Sequence, residues 1–171
     1  MSIVVGIVMG SDSDYPIVKK AAEVFDHFGV GFEMKVASAH RSPDVALRYA
    51  RDAKSRGLKV IIGAAGAAAH LCGVLASSTP LPVIGIPVNA TSLSGLDALY
   101  AMVQMPSGIP VATMAIDGAK NAALFAIQIL SLSDPELAKR WQAYKDGLAS
   151  EVERKNARLQ EALKKDFPTL G

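Results

Sequence analysis

Apolar residues run without interruption from Ile3 to Met9, the pattern of a strand buried on both faces, and stop at Gly10-Ser11-Asp12-Ser13-Asp14. After Pro16 the apolar positions shift to helical spacing, at Ile17, Val18, Ala21, Val24, Phe25 and Phe28, until Gly29 ends the helix. The cycle repeats as a strand over 32–37, a helix over 43–56 closed by Gly57, a strand over 59–62, a Gly/Ala loop over 63–71 and a helix from about 69 to 76. Residues 82–87 read as a fourth strand, 94–103 as a helix, 110–115 as a fifth strand and 122–130 as another helix. Strands alternating with helices imply parallel strands joined by right-handed crossovers, hence an α/β class fold: a three-layer α/β/α, doubly wound sheet.

Beyond Asp134 the pattern changes. Fifteen of the chain's thirty-four charged residues fall between 134 and 166, around a narrow apolar stripe of Trp141, Tyr144, Leu148, Val152, Leu159 and Leu163. Such a helix is either a solvated face or one that meets a partner, such as another subunit. The expected organisation is a catalytic α/β region over 1–133 and a C-terminal helical extension over 134–171, within a single domain overall.

Composition narrows the function classes. At 171 residues the chain is large enough to bury a substantial core, and 50% of it is apolar, yet glycine, proline and polar residues break every apolar run before it could span a bilayer. Eighteen basic against sixteen acidic residues leave a net charge of +2, too balanced for the electrostatic footprint of a nucleic-acid binder. The first residues lack a secretory pattern and Cys72 is the only cysteine, so a cytoplasmic setting and a small-molecule ligand are expected, with no nucleic acid or membrane partner.

In an open parallel sheet, ligands bind beyond the carboxyl ends of the strands, where three of the expected loops carry suggestive residues. Residues 10–14 offer backbone N–H groups, the hydroxyls of Ser11 and Ser13, and Asp14, a set that holds a phosphate or ribose, or else merely caps a helix. The second loop holds Ser38, His40, Arg41 and Ser42. Arginine grips phosphate through a fork, and histidine gives and takes a proton in one cycle; the plainer alternative is a structural imidazole with Arg41 in solvent. The third loop, from Gly63 through Gly66 to His70 and Leu71, has side chains small enough for a planar ring to lie against the backbone, and equally small enough for tight helix-to-sheet packing. His70 itself is placed inside the following helix, as a core residue or a ligand contact. His27 suits a helix C-terminus. The three histidines and one cysteine lack the spacing of a zinc site, so no metal is expected.

These segments, with 103–113 (Val-Gln-Met-Pro-Ser-Gly-Ile-Pro-Val-Ala-Thr), occur in an order that resembles the N5-carboxyaminoimidazole ribonucleotide mutase family, class I, from Ile3 to about Leu132. The resemblance implies purine biosynthesis, a flavodoxin-like fold, a homo-octamer with C-terminal helices packed between subunits, and an isomerase with no cofactor. It implies that His40 is the catalytic proton carrier, that Ser11 and Asp14 contact the ribonucleotide, that Ser38 and Arg41 lie near its phosphate or ribose, and that Ser13, Gly66, His70 and Leu71 line the rest of the pocket. Two segments depart from the family pattern. Ala67 and Cys72 stand where most members have glycine and proline, and residues 116–120 are shorter than usual. A direct aminoimidazole ribonucleotide carboxylase is the second reading, and a non-catalytic nucleotide-binding module a more remote third.

Overall fold

The computed structural model describes residues 2–168. Five parallel strands, β1 (Ile3–Met9), β2 (Gly31–Val36), β3 (Val60–Gly66), β4 (Val83–Val88) and β5 (Ala112–Thr113), form one sheet in the order β2-β1-β3-β4-β5. That order is the flavodoxin-like doubly wound one, and its switch point lies between β1 and β3. Helices α1 (Tyr15–Phe28), α2 (Pro43–Ala53), α3 (Leu71–Ala76) and α4 (Leu96–Val103) supply the crossovers, and α5 (Ala119–Ser131) follows the last strand.

Strand β1 is interior, paired with β2 and β3, and the burial of five successive residues, Val5 to Met9, is that of a strand covered on both faces. Val8, Ile61 and Ala65 share a core cluster with α2, α3 and α4, packing against Ala46, Ala50, Cys72, Leu75 and Met102. Ile7, Ile62 and Ile84 are fully buried on the alternating face. The α3 helix lies close to the sheet because glycines face it. A Cβ on Gly63 would stand 2.6 Å from the Cys72 Sγ.

Several element bounds differ from the sequence reading. Strand β3 runs through Gly66, consuming half of the expected Gly/Ala loop, because residues 60–66 are all in ladders with β1 or β4 whatever their weak strand propensity. Strand β5 shrinks to two residues; Pro110 has no N–H for a ladder. Helix α2 ends three residues early, α5 starts at Ala119 rather than 122, and His70 precedes α3 instead of lying within it.

The chain divides into two compact units, Met1–Leu130 and Ser131–Gly171. The second contains one 32-residue helix, α6 (Pro135–Asp166), started by Asp134, whose carboxylate accepts the N–H groups of Glu136 and Leu137. Along it Trp141 stacks on Tyr144 at 5.7 Å, and Leu148, Val152, Leu159 and Leu163 are exposed. No helix among the described residues is long and apolar enough to cross a membrane.

Candidate active site

Register brings the loops together. Met9 pairs with Val36 on one side and Ala64 on the other, so β1 and β2 end at one level and β3 runs two residues further, to Gly66. Two bonds extend the ladders into the loops: the Ala37 N–H donates to the Met9 carbonyl and the Gly10 N–H to the Ala64 carbonyl. Between the loops lies a cavity of about 470 Å³ lined by Ser11, Ser13, Asp14, Ser38, His40, Arg41, Gly66 and Leu71 among others. The three segments singled out in the sequence therefore share one site.

The first loop is a single 3₁₀ turn, Asp12–Asp14, with a reciprocal cap. The Ser11 Oγ accepts from the Ser13 N–H at 3.3 Å, and the Asp14 Oδ2 accepts from the Ser11 N–H at 3.2 Å. Asp14 thus does cap the turn, yet it also faces the cavity. It is 6% exposed, and burial, helped by the Asp12 charge against hydrogen bonds from Ser11 and Ser13, holds its carboxyl above the ordinary carboxylate range.

In the second loop the Ser38 Oγ accepts from the N–H groups of His40 (3.4 Å) and Arg41 (3.1 Å), while the Ser42 Oγ accepts from the Ser38 N–H and donates to its carbonyl. The Ser42 hydroxyl therefore closes the loop and makes no cap bond to α2. The result is a tight bracket that presents two consecutive side chains, His40 and Arg41, outward on the cavity rim. The Arg41 guanidinium enters no ion pair among the described residues and is available to an anion.

The third loop turns at Ala67, a non-glycine residue at φ 52°, a conformation that costs an alanine about 1–2 kcal/mol. Short i→i+2 bonds follow, from the Ala69 N–H to the Ala67 carbonyl and from the His70 N–H to the Ala68 carbonyl. Leu71, buried at the start of α3, forms part of the cavity wall. His70 does not line the cavity. It stands against His40, its Nδ1 2.9 Å from the His40 Nε2, with the rings nearly perpendicular at 85°.

Gly10, Ala39, Ala65, Ala67, Ala68 and Ala90 complete the wall. Ala90 comes from the segment after β4, which carries no titratable residue to attract notice in the sequence; its position after a strand's carboxyl end was the available clue. Cys72 faces the core, where burial pushes its thiol up to about 12. A second depression of about 460 Å³ lies over β2 and α2, where Arg56 grips Glu33 at 2.8 Å and the Tyr49 hydroxyl donates to Glu33 at 2.7 Å.

A doubly wound sheet with imidazole and guanidinium side by side beyond its strand ends defines an α/β protein of the kind that takes small ligands there. Comparison with known proteins narrows the class. The family model described as AIR carboxylase matches residues 4–151, and the chain belongs to that family. It is 54% identical to the N5-carboxyaminoimidazole ribonucleotide mutase of Pyrococcus horikoshii over 92% of this chain and 89% of that one. It is 47% identical to the chloroplastic phosphoribosylaminoimidazole carboxylase of Vigna aconitifolia, over 93% of this chain but 28% of that longer protein. Among solved structures, Treponema denticola PurE superposes with a TM-score of 0.83 at 30% identity, covering 91% of this chain and 98% of that one.

Proposed function

We propose that this chain is an isomerase of de novo purine biosynthesis that moves the carboxylate of N5-carboxyaminoimidazole ribonucleotide from the exocyclic nitrogen to ring carbon 4. The observation that carries the reading is the shared cavity, with His40 and Arg41 on one side, the Ser11–Asp14 turn on another and an alanine-lined wall on the third. The His40 imidazolium protonates the nitrogen as the N–C bond to the carboxylate breaks and carbon dioxide departs. Carbon 4 then attacks the trapped carbon dioxide, and the neutral imidazole removes the carbon 4 proton, so His40 ends each turnover as it began. Ser11 and Asp14 contact the ribonucleotide, Ser38 and Arg41 lie near its phosphate or ribose, and Ser13, Gly66 and Leu71 shape the remainder. Small wall residues suit a cavity that must hold carbon dioxide beside the ring.

The test is incubation of the purified protein with the nitrogen-carboxylated ribonucleotide and no ATP. Formation of the carbon-carboxylated isomer is expected. A second reading, direct carboxylation of the parent aminoimidazole ribonucleotide, is favoured by the carboxylase name of the Vigna relative. Bicarbonate-dependent carboxylation of that amine, with no isomer formed from the nitrogen-carboxylated substrate, would replace the first reading by the second.

The same reading places the enzyme in the cytoplasm as a homo-octamer, with α6 helices packed between subunits. The exposed Leu148, Val152, Leu159 and Leu163 support it as a stripe in want of a partner. Sedimentation as a monomer at micromolar concentration would refute the assembly.

A further inference from the structure

We infer that His70 is a positioning residue that fixes which ring nitrogen of His40 carries the travelling proton: His70 accepts at Nδ1 from the His40 Nε2–H, leaving His40 Nδ1 to serve the substrate. The inference rests on the mutase reading above and adds to it an atom-level assignment. At 2.9 Å the two nitrogens share one hydrogen bond, so one ring supplies N–H and the other a lone pair.

The catalytic cycle decides between the two placements. In the imidazolium form His40 carries N–H at both nitrogens, and it holds that form at the start and end of every turnover. Were the shared proton on His70 Nδ1, the imidazolium would set N–H against N–H at 2.9 Å, and the contact would have to break or His70 change tautomer twice per cycle. With the proton on His40 Nε2, the bond survives every stage. His40 then loses and regains only its Nδ1 proton, and His70 keeps its own proton on Nε2. This logic parallels that of a catalytic triad, in which a third group holds the base in one tautomer.

The backbone around the two rings assigns the roles in the same direction. His70 is tied at both ends, its N–H to the Ala68 carbonyl at 2.8 Å and its carbonyl to the Val74 N–H at 3.0 Å, beside the buried Ala69. Both histidines are exposed, and the His40 N–H is held by the Ser38 Oγ at the longer distance of 3.4 Å. The firmer main chain is that of His70, which suits it to orient the His40 ring.

The chain has three histidines, so protein labelled with ¹⁵N-histidine gives three ring systems, and His27→Asn identifies the one away from the site. The expected spectrum shows coupling across the hydrogen bond with the proton on His40 Nε2; a proton on His70 Nδ1, or no coupling between the rings, overturns the assignment. This measurement needs no variant at the site. In turnover, His70→Asn keeps an acceptor near the Nδ1 position and is expected to retain kcat within roughly threefold, whereas His70→Leu, which removes it, is expected to lose about 10- to 100-fold in kcat with little change in KM. Equal activity of the two variants, or a loss confined to KM, overturns the positioning role. A wild-type protein with the Nε2–H signal but no mutase turnover would instead overturn the functional reading and leave the nitrogen assignment standing.

Discussion

Gly66 is where packing and chemistry meet most directly, and Gly66→Ala tests both. A Cβ there would stand 2.5 Å from the Ala90 Cβ and 3.1 Å from the Val88 carbonyl oxygen. Carbon atoms in ordinary contact are about 3.5–4.0 Å apart, so the third loop and the segment after β4 must separate by about 1 Å. Neither obstacle is the far end of a flexible side chain, which places the cost in the overpacking range of about 1–3 kcal/mol. For a chain of this size that lowers Tm by about 2–4 °C per kcal/mol. Since both segments line the cavity, a shift of that size is also expected to reduce kcat/KM by about 100-fold. Thermal unfolding and steady-state kinetics are measured on Gly66→Ala, on Ala90→Gly and on the double variant. Ala90→Gly removes the obstructing methyl, so the double variant should recover most of both losses, with a coupling energy that a double-mutant cycle reads directly. A Gly66→Ala protein with wild-type Tm and kcat/KM, or a double variant no better than the single one, would refute the reasoning.

His40→Asn should lose about 2 to 4 orders of magnitude in turnover while calorimetry finds ligand affinity little changed; an active variant would end the acid–base assignment. Arg41→Lys should weaken phosphorylated ligands by about tenfold, since an ammonium cannot reproduce the guanidinium fork, and unchanged affinity would show that the side chain points elsewhere. Burial alone would raise the Glu33 carboxyl, but hydrogen bonds from Arg56 and Tyr49 outweigh it and hold the group below its ordinary value. The native carboxyl is thus harder to protonate than the unfolded one, so its contribution is complete above the unfolded value of 4.5 and is lost as pH falls through the native value. Tm measured from pH 7 down to pH 3 should accordingly fall less steeply for Glu33→Gln than for the wild type, and parallel curves would contradict this.

Much of the sheet could be read from the chain because strands covered on both faces need unbroken apolar runs, as in Ile3–Met9 and Val83–Val88, while the helices advertise their ends through Pro16, Gly29 and Pro43. Strand β3 escaped at its far end because Gly63, Ala64, Ala65 and Gly66 have little strand propensity, and only the neighbours β1 and β4 make them a strand. The site was legible where it is polar, at Ser11, Asp14, Ser38, His40 and Arg41. Ala90 and the left-handed Ala67 carry no chemical mark in a sequence, and the pairing of His40 with His70, thirty positions apart, is a product of the crossover through α2 and β3.

The predominance of methyl groups and bare backbone on the third wall has a practical corollary for anyone seeking inhibitors. Such a surface offers a ligand shape and main-chain amides but few side-chain anchors, so potency must come from a flat, compact ring that fits against Ala65, Gly66 and Ala68, with a single anionic arm reaching toward Arg41. Bulky ring substituents aimed at that wall would meet strand backbone rather than a side chain able to swing aside.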